Sequence, residues 1–162
     1  HFGAELLKLM AGVNIVQVPY KGTAGQLTAL LGNEVQMTFS TMPPAMPLVQ
    51  AGRLRAIAIG SPKRSPALPE VPTIAESGVA GYENSTWNGI SAPANTPAAV
   101  VLRLNREFNE ILRLPDVKEA ARVEGSSIVG GPPSQFGDYL KREYAKYGKL
   151  VRDAGIKGEA QN

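Results

Sequence analysis

Asn14–Gly32, NIVQVPYKGTAGQLTALLG, decides how the rest of the chain is read. Ile15, Val16 and Val18 make a β-branched run closed by Pro19, the pattern of a buried strand that stops. Leu27, Leu30 and Leu31 stand at i, i+3 and i+4, with Ala24 one turn earlier, so they line one face of a short helix. Thr23 and Gln26 have capping-box spacing at its start, and Gly32 supplies a left-handed stop. Between strand and helix lies Tyr20-Lys21-Gly22-Thr23. Open α/β sheets seat small anions at such a junction, because unpaired N–H groups and the helix dipole both favour negative charge. An ordinary strand-to-helix loop, with a glycine for geometry, satisfies the same residues.

The flanking sequence repeats the alternation. Upstream, Phe2, Leu6, Leu7, Leu9 and Met10 form an amphipathic helix stopped at Gly12. Downstream, Val35-Gln36-Met37-Thr38-Phe39 alternates as a strand, with Ser40-Thr41 at its carboxyl end. Pro43, Pro44 and Pro47 delay the next regular helix to Ala45–Ala51, before Gly52. Leu54–Ile59 is a third strand. Strands alternating with helices predict an α/β fold with a parallel or mixed sheet.

From Gly60 the character changes. Ser61–Pro72 holds four prolines and reads as a stiff extended connection, followed by one helical turn over Pro72–Glu76. Tyr82–Ala92 is a long strand around the only tryptophan. Thr96 caps a helix opened by Pro97 with Val100, Leu104, Phe108 and Ile111 on its buried face. Pro115 opens a short helix, Asp116–Val123, and Ser127–Val129 is a brief strand. Pro133–Asp153 is a long helix burying Phe136, Leu140, Tyr147, Val151 and Ala154, closed by Gly155.

The 162 residues suffice for a real core, and 43% hydrophobic with 19% charged content is that of a globular chain. The net charge of +3 is spread out. Its mild concentration over Lys141–Lys157 includes Glu143 and Asp153 at helical spacing, a solvated face without aromatic interleaving, so no nucleic-acid partner is expected. The lack of cysteine excludes thiolate chemistry and a disulfide scaffold. The chain starts without Met, inside a helical pattern, and the expectation is that an amino-terminal part with any export signal belongs before it.

Reactive sets are hard to assemble. The single histidine, His1, stands at the chain end, so no triad can be built around it from these residues. Zinc, nucleotide and Walker spacings are missing from the sequence. Glu70 and Glu76 sit on or beside the proline-rich connector, a poor platform for an acid–base pair. The expectation is no catalytic residue, no metal and no cofactor. What remains are neutral polar loops at strand ends: Tyr20-Lys21-Gly22-Thr23-Ala24 and Ser40-Thr41, joined by the polar strand around Trp87. Such donors hold a carboxylate without reacting with it. Each has a plainer role too: Lys21 as a solvated charge, Thr23, Ser40 and Thr41 as caps, and Trp87 as packing.

Val18-Pro19-Tyr20-Lys21-Gly22 resembles the VPYKG motif of the Bug (Bordetella uptake gene) family, the solute-binding receptors of tripartite tricarboxylate transporters. Ala51–Ala56 resembles that family's AGKLRA, Arg64–Glu76 its RSPALPDVPTVAE, and Gly89–Pro97 its GLxAPAGTP. The likeness covers essentially the whole chain, and the four motifs in order are specific. The resemblance implies a periplasmic-binding-protein-like (type II, Venus-flytrap) fragment, the carboxyl-terminal half of a periplasmic receptor. Residues 1–82 would form most of the second lobe, 83–97 the crossing strand, and 98–162 the carboxyl-terminal part of the first lobe. His1, Tyr20–Ala24 and Ser40-Thr41 match ligand-facing positions, although many relatives carry Asp where Ser40 stands. The implied partners are a small organic carboxylate or dicarboxylate and membrane permease subunits. An incomplete lobe would expose a sheet edge open to strand exchange or dimerisation. The competing readings are an α/β enzyme fragment acting on a phosphorylated or acyl substrate, with its reactive groups before His1, and a ligand-dependent sensor module using the proline-rich connector.

Overall fold

A computed structural model describes residues 1–156, and its regular structure consists of six helices. They are α1 (Phe2–Ala11), α2 (Thr23–Leu31), α3 (Met42–Gln50), α4 (Ala98–Ile111), α5 (Pro115–Val123) and α6 (Pro133–Asp153). α1 stops where the sequence requires: Gly12 takes φ 65 and its N–H donates to the Lys8 carbonyl. α6 has the expected span, and beyond it Gly155 turns left-handed at φ 62 while the Ile156 N–H donates back to Val151.

Three helix boundaries differ from expectation. α2 is closed by Asn33 at φ 57, with Gly32 at an ordinary φ of −82. The Glu34 N–H donates to the Ala29 carbonyl at 2.9 Å, a Schellman closure whose left-handed residue is asparagine, which tolerates that region better than most. α3 begins at Met42, not Ala45. Pro43 and Pro44 occupy its first turn, where an N–H has no partner to lose, and only Pro47 costs an internal bond. α4 is capped by Pro97, not Thr96, because the Thr96 N–H closes a turn on the Pro93 carbonyl.

The expected strands form no ladder, although the third, Leu54–Ile59, ends in a bridge at Ile59, and Asn84 of the Tyr82–Ala92 segment donates to the Gly60 carbonyl. Residues 13–19, 35–40, 55–58, 85–92 and 127–130 make no main-chain to main-chain hydrogen bond among the described residues. The only sheet-type contact among them is an isolated parallel bridge between Ile59 and Thr73. There the Ile59 N–H donates to Pro72 and the Ile74 N–H donates to Ile59, each at 2.9 Å. A strand pattern in sequence specifies a backbone that can pair; the ladder itself needs a neighbour.

The core lies around that bridge. Met46, Leu68 and Val71 are buried together, with Met42, Val49, Ala56, Ile59 and Ala67 packed against them. The proline-rich connector thus folds back onto α3. A capping box locks its end: the Glu76 N–H donates to Thr73 Oγ1 at 3.0 Å and the Thr73 N–H donates to Glu76 Oε2 at 2.7 Å. Arg64 ties in from the other side, donating to Glu76 Oε2 and to the Pro69 carbonyl. Those contacts hold the Glu76 carboxyl below its ordinary pKa, the Thr73 N–H first and Arg64 next.

A second junction gathers around Asn84, where α1 and α6 pack on one another. The buried Tyr82 hydroxyl donates to the Gly3 carbonyl at 2.9 Å, and Tyr147 donates to Asn84 Oδ1 at 2.9 Å. Phe2 stacks on Tyr147 with ring centroids 5.1 Å apart. Close approach depends on glycine: a Cβ on Gly3 would lie 2.2 Å from Asn84 Nδ2, and one on Gly60 2.6 Å from the Asn84 carbonyl oxygen. Burial pushes the Tyr82 phenol up, with the Asn84 amide pulling the other way. The Tyr147 phenol is raised by burial first and Glu143 next, so both stay protonated donors at neutral pH.

Candidate functional site

The loop before α2 is set by one residue. Gly22 takes φ 84 and ψ 171, a conformation essentially confined to glycine, and its N–H folds back to the Tyr20 carbonyl at 3.0 Å. Gly22 is therefore the N-cap, and Thr23 is already helical. The expected Thr23–Gln26 capping box does not form: α2 has no side-chain cap, and the Gln26 N–H donates weakly to Gly22 at 3.5 Å. The first-turn N–H groups of Thr23, Ala24 and Gly25 have no intrahelical acceptor. No atom outside Gly22 and its chain neighbours comes within 4 Å of a Cβ built at Gly22. Donors without intrahelical acceptors at a helix start, beside an unobstructed Gly22, form a receptive end for an anion.

The other residues of the loop shape this end. Tyr20 packs its ring against Gly25, whose Cβ would sit 3.7 Å away, and its hydroxyl approaches Glu34 at 3.5 Å. Partial burial, and then the Glu34 charge, raise the Tyr20 phenol, which stays a neutral donor. Lys21 is exposed and makes no ion pair among the described residues.

At the second loop, Thr41 is the N-cap of α3, extended at φ −69 and ψ 152, with no side-chain cap bond. The Ser40 hydroxyl is turned onto the Thr41 carbonyl at 3.0 Å. Neither residue performs the side-chain capping that offered a plainer account of it. α2 and α3, the helices that follow the two loops, pack against each other. His1 is exposed, is the N-cap of α1 without a side-chain cap bond, and lies edge-on to Phe2. The start of α1 is close to the second loop, because a Cβ on Gly3 would lie 3.0 Å from the Phe39 ring.

Trp87 belongs to a different neighbourhood. Its ring stands edge-on to Phe136 at 5.6 Å and to Tyr139 at 5.7 Å, both on α6. A Cβ on Gly89 would fall 2.1 Å from the Phe136 ring, so glycine there lets the crossing segment lie flat on the helix. The packing role accounts for these contacts. Tyr147 stands on the expected buried face of α6, whereas its partner Asn84 carries no signal in the sequence. A lone Asn between two Gly-dependent approaches carries no local pattern.

The described residues form one further concavity of note, about 220 Å³ and mostly apolar, lined by Pro66, Ala67, Lys118, Arg122, Ser126 and Ile128 among others. None of the two loops' residues lines it. Among the described residues no three His, Asp or Glu side chains cluster as a metal site, and no helix is long and apolar enough to cross a membrane.

Solved structures of periplasmic solute-binding proteins superpose on this chain. The R. palustris protein Rpa4515, solved with adipate, matches with a TM-score of 0.87 and 37% identity over 96% of this chain and 52% of its own. The periplasmic binding protein BugD matches at 0.79 and 30%, covering 97% of this chain and 53% of its own. MatC from Rhodopseudomonas palustris, solved with malate, matches at 0.78 and 27%, covering 93% and 52%. Residues 1–156 match the tripartite tricarboxylate transporter family receptor, TctC, and the chain belongs to that family.

Among curated relatives, the UPF0065 protein in the tcbD-tcbE intergenic region of Pseudomonas sp. (strain P51) is 39% identical over 93% of this chain and 45% of its own length. The UPF0065 protein in the clcB-clcD intergenic region of Pseudomonas knackmussii is 31% identical over 93% of this chain and 90% of its own. The chain thus spans about half the length of the first of these relatives and of the solved receptors. The family and fold are those of solute-binding proteins.

Proposed function

We propose that this chain is part of a periplasmic receptor that reversibly binds a small carboxylate or dicarboxylate and presents it to the permease subunits of a tripartite tricarboxylate transporter, without chemical turnover. The observation that carries the reading is the start of α2, where Gly22 at φ 84 opens a helix that no side chain caps. Three main-chain donors, a helix dipole and the neighbouring Lys21 suit a carboxylate and offer it no nucleophile or general base. His1, Tyr20–Ala24 and Ser40-Thr41 form the ligand surface on the part comprising residues 1–82. Residues 83–97 cross to the part comprising 98–162, which carries Trp87's packing partners on α6. Ligand contact on both parts would favour a closed arrangement by its differential affinity. The adipate and malate found with two relatives set the ligand class to be tried.

Isothermal titration calorimetry with adipate and with malate tests this. Saturable heat at neutral pH is expected, weakened at least about tenfold in Gly22→Val, where a β-branched residue cannot hold that φ. Absence of heat with either acid, or consumption of the acid during titration, overturns the reading.

A further inference from the structure

Asn88-Gly89 is the only Asn-Gly step in the sequence, and every other described asparagine is followed by a residue that carries a Cβ. Packing fixes the glycine, since a Cβ there would fall 2.1 Å from the Phe136 ring. Both residues are exposed, and neither makes a main-chain to main-chain hydrogen bond among the described residues. Asn84, earlier in the same segment, is the contrast. Its side-chain oxygen accepts from Tyr147 and its N–H donates to the Gly60 carbonyl, each at 2.9 Å.

We propose that Asn88 is a site of spontaneous covalent modification, at which the Gly89 main-chain nitrogen displaces the side-chain amide and the residue becomes aspartate or isoaspartate. The Gly89 nitrogen gives its proton to solvent and bonds to Asn88 Cγ. The Cγ–Nδ2 bond breaks, and the leaving nitrogen takes up a proton and departs as ammonia, which leaves a cyclic succinimide. Water then opens the ring, its hydroxyl going to a carbonyl carbon and its proton to the Gly89 nitrogen. Opening at Cγ gives aspartate. Opening at the main-chain carbonyl gives isoaspartate, whose peptide link runs through Cβ and Cγ. Nothing is oxidised or reduced. Glycine favours the attack, because it has no Cβ to crowd the nitrogen and its backbone turns easily. An extended, unbonded segment reaches the bent geometry the attack needs, whereas Asn84 is tied at both side chain and main chain.

Both products place a negative charge beside Trp87. Isoaspartate also lengthens the main chain between Trp87, edge-on to Phe136 and Tyr139, and Gly89, flat on Phe136. Those seats on α6 match an ordinary peptide spacing, so the β-linked form moves Trp87 on the helix. The proposal stands whether or not the chain binds a carboxylate.

The test ages the chain over residues 1–162 at physiological temperature in mildly alkaline buffer and maps its peptides by mass spectrometry, with isoaspartate labelled by isoaspartyl methyltransferase. Exchange of NH2 for OH should be at least about tenfold faster at Asn88 than at Asn84, whose bonds hold it closed. Asn88→Gln, whose longer side chain cyclises slowly, should abolish the early release of ammonia with helical circular dichroism unchanged. Trp87 emission in the aged protein should shift beyond that of Asn88→Asp, which carries the charge without the added link. Conversion of Asn88 no faster than that of Asn84 overturns the proposal, as does equal ammonia release from the Gln variant. Isoaspartate-containing protein with the emission of Asn88→Asp overturns the displacement of Trp87.

Discussion

The connector over Ser61–Tyr82 and the helix pair α4–α5 make opposite use of their sequences. The connector is rich in proline and poor in periodic pattern, yet Leu68, Val71, Thr73 and Tyr82 are all buried. α4 and α5 are the more regularly amphipathic, yet neither buries a single residue. Val100, Leu104 and Ile111, the apolar stripe of α4, are each more than two-fifths exposed. An apolar stripe records that a helix has a partner surface; it does not say that the partner lies in the same stretch of chain. The connector shows the converse, since turns and side-chain caps can bury residues where no periodicity announces it.

That contrast can be broken most forcefully in the core. Leu68→Ala, which empties a position beside Met46 and Val71, should cost about 2–3 kcal/mol in urea unfolding. Leu104→Ala on the exposed stripe should stay within about 0.5 kcal/mol. Equal losses would show that α4 is as firmly packed as the connector. Tyr82→Phe removes only the hydroxyl that joins the connector's end to Gly3, and about 1 kcal/mol is expected. The mildest effect is one of pH. Because the Glu76 carboxyl titrates lower folded than its ordinary value of 4.5, its contribution is complete above that value and fades as acid takes the folded group through its depressed pKa. Exchange of the Thr73 amide should therefore quicken, beyond its intrinsic pH dependence, only below about 4.5, and Glu76→Gln should abolish that extra change. The same extra quickening in the Gln variant would assign the effect elsewhere.

Much of this architecture could be read from residues alone. The six helices were placed by apolar spacing, by prolines at first turns and by glycines such as Gly12 and Gly155. The capping pattern was legible but ambiguous. Thr23-x-x-Gln26 and Thr73-x-x-Glu76 are nearly the same signal, and only the second forms a box. The residue before each decides. Gly22 swings to positive φ and takes the cap position itself, leaving Thr23 inside the helix. The Pro72 carbonyl accepts from the Ile59 N–H beside the Ile59–Thr73 bridge, which keeps Thr73 outside a helix and free to cap.

The strands were legible as extended segments only, because pairing is a property of two segments and one was in view. At the site, Gly22 and the first turn of α2 were visible in the strand–glycine–helix order. The contact between Gly3 and Phe39, which brings α1's start to the second loop, joins residues 36 apart, too distant for any local pattern to show.

One tryptophan in 162 residues has a practical consequence. Light emitted on selective excitation of indole comes from Trp87 alone, edge-on to Phe136 and Tyr139 and 40% open to solvent. Any sliding of the crossing segment along α6 changes that ring's surroundings, so the polypeptide carries an intrinsic optical gauge of its own articulation and needs no attached dye.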